Sequence, residues 1–159
     1  MVSMSYAISP DVGGPVVKFG ESIRIARDRA HVEEGVRKRI LLVEDDPAQG
    51  LLYQTELKRA GYEVFVARDG LEAIVMCEAA RPALVIMDIG MPRMNGIDAM
   101  DKLIERNHHL HVILFTSYPS YGNNYRSTSA DAYVVKSSDL SELKQKIREV
   151  LELSGQEAC

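Results

Sequence analysis

Two apolar runs in this chain end abruptly in acid: Ile40-Leu41-Leu42-Val43 leads into Glu44-Asp45-Asp46, and Ala83-Leu84-Val85-Ile86-Met87 leads into Asp88. Short β-branched runs followed by helical patterns read as buried parallel strands. If the two strands are neighbours, their carboxyl ends bring three or four carboxylates into one crevice. Unit charges about 4 Å apart repel by about 4 kcal/mol at an effective dielectric of ~20. A fold keeps such a cluster only where a proton or a hard, oxygen-preferring cation relieves it. The acids therefore mark a site rather than a core.

The elements that must position these acids alternate along the chain. Strand-like runs are Ile40–Val43, Glu63–Ala67, Ala83–Met87, Val112–Phe115 and Ala132–Val135. Helical stretches lie between them, several opened by a capping pattern. Asp46-Pro47-Ala48-Gln49 has an N-cap acid, proline at the first helical position and Gln at the third. Asp69-Gly70-Leu71-Glu72 and Asp139-Leu140-Ser141-Glu142 repeat the acid and third-position Glu, and Asn95-Gly96-Ile97-Asp98 is a looser version. Ile97, Met100, Leu103 and Ile104 form one apolar stripe; Leu140, Leu143, Ile147, Val150 and Leu151 form another. Such alternation predicts an α/β fold, a doubly wound parallel sheet covered on both faces. Ligands of such sheets bind beyond the strand carboxyl ends, where strand order reverses. The exception is Ser117-Tyr118-Pro119-Ser120-Tyr121-Gly122-Asn123-Asn124-Tyr125, a poor helix that predicts a loop with at most a short helix towards Ser129.

Four strand ends supply polar side chains: Glu44/Asp45, Asp88, Thr116 and Lys136. With their surroundings, Leu42-Val43-Glu44-Asp45-Asp46, Met87-Asp88-Ile89-Gly90-Met91-Pro92-Arg93-Met94-Asn95-Gly96, Phe115-Thr116-Ser117 and Ala132-Tyr133-Val134-Val135-Lys136, the chain resembles the receiver domain of bacterial response regulators. Each motif alone is weak, and their joint order over residues 38–153 is specific. The resemblance implies a flavodoxin-like sheet of five strands in the order 2-1-3-4-5; the chain departs from it in a shorter segment between Thr116 and Lys136 with poor helix signals, so a shortened or absent fourth helix is expected. The resemblance also implies Asp88 as phosphoacceptor. Mg2+ would be bound by Asp45, Asp88 and the backbone carbonyl of Gly90, with Glu44 assisting indirectly. Thr116 would bond a phosphoryl oxygen, Lys136 would pair first with the carboxylate and then with the phosphoryl group, and Thr116 and Tyr133 would move together as the switch. Elementary chemistry agrees, since a carboxylate attacking phosphorus needs positioning and charge neutralisation above all.

Taken singly, these residues have plainer readings. Asp46 reads as a helix cap, Thr116 as a strand-end hydroxyl, Lys136 as a solvated lysine and Tyr133 as a static strand aromatic. The sequence also departs from the family. Ser137 follows Lys136 where the family usually has proline, so a trans bond and a shifted loop are expected. Gly90 and Tyr118 occupy the positions that tune hydrolysis in the family. Glycine holds no attacking water and tyrosine can cover the site, so slow self-dephosphorylation is expected.

Composition bounds the rest. The 159 residues are 46% hydrophobic and 26% charged, enough for one ordinary domain and a tail. The expected organisation is an N-terminal extension over 1–37, irregular and then weakly amphipathic, a receiver domain over 38–153 and a tail over 154–159. Residues 1–39 carry seven basic against five acidic side chains, and residues 40–159 carry twelve against eighteen. The acidic part argues against nucleic acid, and Arg24, Arg27, Arg29, Arg37, Lys38 and Arg39 are interrupted by acids. No apolar run approaches the ~20 residues of a membrane span, and neither a secretory signal nor a disulfide framework is visible with only Cys77 and Cys159. The cytoplasm is the expected compartment.

The resemblance implies a two-component or phosphorelay switch rather than an enzyme, one that catalyses only its own phosphoryl transfer and slow loss. Its expected partners are a sensor histidine kinase or histidine phosphotransfer protein and a separate output protein. The alternative is a constitutive interaction module with a vestigial acidic site. A haloacid dehalogenase-type phosphatase would want a second acid where Gly90 stands. His108, His109 and His111 crowd one loop without a visible cysteine or carboxylate beside them, which argues against a transition-metal site.

Overall fold

A computed structural model describes residues 37–119 and 129–156. Its elements alternate as β1 (Arg39–Val43), α1 (Pro47–Arg59), β2 (Glu63–Ala67), α2 (Gly70–Ala80), β3 (Leu84–Met87), α3 (Gly96–Arg106), β4 (His111–Thr116), β5 (Ala132–Val135) and α4 (Ser141–Gln156). The five strands are parallel in the order β2-β1-β3-β4-β5. This is the doubly wound, flavodoxin-like sheet that the alternation and the resemblance imply, and strand order reverses between β1 and β3.

Side-chain alternation along each strand builds two cores. Ile40 and Leu42 face α1 and α4, where they pack with Leu57, Leu143, Ile147 and Leu151. Leu41 and Val43 face α2 and α3, joining Ala73, Ala99, Met100 and Leu103. Removing each of the Leu, Ile, Val and Met side chains from water contributes about 1.5–3 kcal/mol. From Ile40 to Val43, β1 is buried on both faces, so after Arg39 it has no polar position until Glu44 just past its carboxyl end. The register then sets the site: Val43 pairs with Met87, and the Asp88 amide donates to the Val43 carbonyl at 3.0 Å. On the other side, Thr116 pairs with Val135, and the Lys136 amide donates to the Thr116 carbonyl at 2.8 Å.

At three of the four predicted caps the N-cap side chain bonds as read. Asp46 accepts from the amides of Ala48 and Gln49, Asp69 from that of Glu72, and Asn95 from those of Ile97 and Asp98. The fourth is displaced by one residue. The Leu140 carbonyl takes the first helical bond of α4, from the Lys144 amide, while Asp139 accepts from the amide and hydroxyl of Ser141. Leu140 is buried in the first core, and that burial fixes where the helix begins. Among the described residues no peptide bond is cis, so Lys136–Ser137 is trans as expected. None of the described helices is long and apolar enough to cross a membrane. The amphipathic reading of the N-terminal extension, the shortened fourth helix and the Tyr121 and Tyr125 positions fall outside the described residues.

Candidate functional site

The turn after β1 and the end of β3 bring three acids together. Glu44, Asp45 and Asp88 each place one carboxylate oxygen within 4.8 Å of the others. Glu44 is 2% exposed and Asp88 8%, while Asp45 is half-buried at the rim. From the end of β5, the Lys136 ammonium reaches into the cluster, donating to Glu44 Oε2 at 2.5 Å and to Asp88 Oδ2 at 3.0 Å. Serine after the lysine has therefore not cost Lys136 its reach. Asp88 Oδ1 accepts from the Gly90 amide at 3.2 Å, and Glu44 Oε1 from the Asp46 amide at 3.2 Å.

Burial pushes the Glu44 carboxyl above the usual range, with the Lys136 hydrogen bond pulling partly the other way. Burial alone would lower the Lys136 ammonium, but its bonds to Glu44 and Asp88 outweigh that and raise it. Two carboxylates thus share one buried cation, and a third, Asp45, lies in the same cluster without it. The donors are all oxygens, one acid lies open at the rim, and the charge is left in excess. That donor set suits a hard divalent cation such as Mg2+ and not a soft one.

Thr116 ends β4 fully buried, and its Oγ1 accepts from the Tyr118 amide at 3.3 Å. The Tyr118 ring lies against Gly90: a Cβ built on Gly90 would meet Tyr118 Cε2 at 3.1 Å. The Tyr133 hydroxyl donates to the Tyr118 carbonyl. Gly90, Thr116, Tyr118 and Tyr133 accordingly form one contiguous wall beside Asp88. Behind Asp88, Gly96 opens α3 so closely that a Cβ there would lie 2.0 Å from the Asp88 carbonyl oxygen.

The sequence reading missed one contributor. Gln49, taken as the third position of a capping pattern, turns its amide oxygen to Lys136 Nζ at 3.1 Å and to the Tyr53 hydroxyl at 3.3 Å. The Asp46 amide that it would have capped goes to Glu44 instead. No local signal joins Gln49 to a lysine far along the chain. The histidine loop needs a correction: Asp131 lies beside it, its Oδ1 at 2.9 Å from His111 Nδ1. Its Oδ2 accepts from the Val112 amide, so this carboxylate ties β5 to β4. Among the described residues, the only three-group cluster able to hold a metal remains Glu44, Asp45 and Asp88.

Known proteins resemble this chain in sequence and fold. The sequence model of the response regulator receiver domain matches residues 40–148. The probable transcriptional regulatory protein TcrX of Mycobacterium tuberculosis is 30% identical over 118 residues, 73% of this chain and 50% of that protein. The chain spans about half the length of the first curated relatives it matches. Response regulator TrrA of Thermotoga maritima, solved in complex with Mg(2+)-BeF, is 37% identical with a TM-score of 0.68, covering 71% of this chain and 98% of that one. TrrA in complex with histidine kinase ThkA matches at 38% identity and a TM-score of 0.67, over 72% of this chain and 98% of that one. The order of the strands, the acids at their ends and the family match agree: this chain belongs to the response regulator receiver domain family.

Proposed function

We propose that the protein is a phosphorylation-controlled switch of a two-component or phosphorelay system. In this reading Asp88 accepts a phosphoryl group from a sensor histidine kinase or histidine phosphotransfer protein. The observation that carries it is the cluster of Glu44, Asp45 and Asp88 with the buried Lys136 ammonium against Asp88. Mg2+ would be held by Asp45, Asp88 and the Gly90 carbonyl, with Glu44 close by, and when bound it supplies charge neutralisation to the phosphoryl oxygens.

The chain's own residues do the rest. An Asp88 oxygen forms the new bond to phosphorus as the P–N bond of the donor phosphohistidine breaks, its electron pair leaving on the imidazole nitrogen. Lys136 stabilises the charge that accumulates beside Asp88. A phosphoryl group adds about two negative charges and three acceptor oxygens. Thr116, buried on the next strand, is the hydroxyl that answers it, and Tyr133 moves with Thr116 between two packings. Tyr118, lying on Gly90, shields the phosphoryl group from water, so self-dephosphorylation is slow. The receiver spans residues 38–153, signals to a separate output protein, works in the cytoplasm and turns over no other substrate.

Incubation with acetyl phosphate and Mg2+, followed by intact-mass measurement, tests this reading. The wild type is expected to gain one phosphoryl group and Asp88→Asn none. An unmodified wild type, or partner binding identical in wild type and Asp88→Asn, would overturn it.

A further inference from the structure

Lys136 spends all three of its N–H bonds inside the protein. Two go to the acids Glu44 and Asp88, and the third goes to Gln49 Oε1 at 3.1 Å. We infer that Gln49 is a positioning residue for Lys136, completing the acceptor triangle that aims the ammonium at Asp88, and that Tyr53 in turn holds Gln49. This rests on the phosphoacceptor reading of the site.

An ammonium carries three donors and no acceptor, and the Lys136 side chain is only 7% exposed. A third N–H left without a partner at that depth would carry the full penalty of its lost hydration. Nothing in two acids alone stops a cation on a flexible four-carbon stem from swinging between them. A third acceptor in another direction fixes it. The rings of Tyr53 and Phe115 narrow the space further, each with its centroid 5.8 Å from Nζ and packed edge to face on the other at 5.0 Å.

The orientation of the Gln49 amide is dictated by its neighbours. Lys136 and the Tyr53 hydroxyl both donate to its oxygen. A flipped amide would set its NH2 against the ammonium, donor against donor. The backbone of Gln49 is equally fixed, because its own amide donates to the capping Asp46 at 3.0 Å. A neutral amide also suits the place: it adds an acceptor without adding a fourth negative charge to the three already present. When a phosphoryl oxygen claims one N–H of Lys136, the bonds to Gln49 and Glu44 keep Nζ where the exchange occurs.

The Lys136 side-chain ammonium resonance in a 1H–15N spectrum, compared between wild type, Gln49→Leu and Gln49→Glu, tests the inference. The wild-type signal is expected to be protected from exchange, Gln49→Leu to lose it and Gln49→Glu to keep it. With acetyl phosphate and Mg2+, Gln49→Leu is expected to take up phosphoryl groups about tenfold more slowly while its Mg2+ Kd stays within about twofold. In a Lys136→Ala background Gln49→Leu should slow nothing further. An unchanged ammonium signal in Gln49→Leu, or an equal slowing in the Lys136→Ala background, overturns the inference. Should Gln49→Leu not fold, Tyr53→Phe keeps the ring and removes one hydroxyl. It is expected to weaken the same protection, and an unaltered signal there is equally fatal. A wild type that takes up no phosphoryl group, with the signal still lost in Gln49→Leu, would sink the phosphoacceptor reading and leave the positioning role standing.

Discussion

At the carboxyl end of the sheet, Glu44, Asp88 and Lys136 are withdrawn from water, while at the amino end His111 and Asp131 meet with their side chains 24% and 31% exposed. The ingredients are alike, a basic group and a carboxylate brought together by the sheet, from neighbouring strands at the amino end and across β4 at the carboxyl end, yet their employment differs. Asp131 is committed to the fold, since one oxygen takes the Val112 amide and the other faces His111. At the opposite end the carboxylates outnumber the cation, and Asp45 has no share in it. Burial that raises Glu44 marks a place where the folded chain works against its own stability. Structural charge is balanced and solvated; charge kept for chemistry is concentrated, buried and left in excess.

The largest expected effect comes from stripping the buried end of its cation. Lys136→Met leaves two buried carboxylates facing each other and should destabilise the domain by about 3 kcal/mol near pH 8 in urea denaturation. That loss should shrink on acidification as Glu44 takes up a proton. In the wild type the raised Lys136 value has the converse sign. Its contribution is complete below the ordinary lysine value and is lost only as pH rises through the raised folded value. An equal loss at pH 4.5 and pH 8 would show that packing rather than charge governs this end.

Uncovering the wall beside Asp88 ranks next. Tyr118→Ala is expected to hasten phosphoryl loss about tenfold, or ~1.4 kcal/mol of barrier. Decay of the phosphorylated protein followed by mass spectrometry reads this directly. At the amino end, Asp131→Ala should cost about 1 kcal/mol through the lost Val112 bond. Phosphoryl uptake should stay at the wild-type rate, and a fall in that rate would erase the contrast between the two ends.

Glu44→Gln carries the smallest effect and the most telling sign. Between the unfolded glutamate value and the raised folded one, the native state binds more protons, so wild-type stability falls as pH rises through that window. The substitution should therefore stabilise the apo domain by less than about 1 kcal/mol at pH 8 and not at pH 4. Thermal melts at the two pH values distinguish this from a uniform loss.

The sequence made the fold legible because its signals were local. β5 was read to the residue, and the caps at Asp46, Asp69 and Asn95 were visible within four residues of chain. Boundaries slipped where burial or register decided them: β4 runs on into His111 and Thr116, and α4 starts where Leu140 enters the core. The acids, Thr116 and Lys136 were legible as strand-end residues. Gln49 was not, because a capping pattern explains the same letters and its real partner comes from another strand. Asp131 stayed hidden for the same reason, since only the β4–β5 pairing sets it beside His111.

The closeness of Gly96 to the backbone of Asp88 has a mechanical consequence. With 2.0 Å between the Asp88 carbonyl oxygen and the place where a methyl would sit, and with the Gly96 amide donating to the Ile89 carbonyl at 3.0 Å, there is no slack between Asp88 and the helix. The strand end and the first turn of α3 form one rigid joint. A push on one is a push on the other, and even alanine at that joint would have to pry them apart.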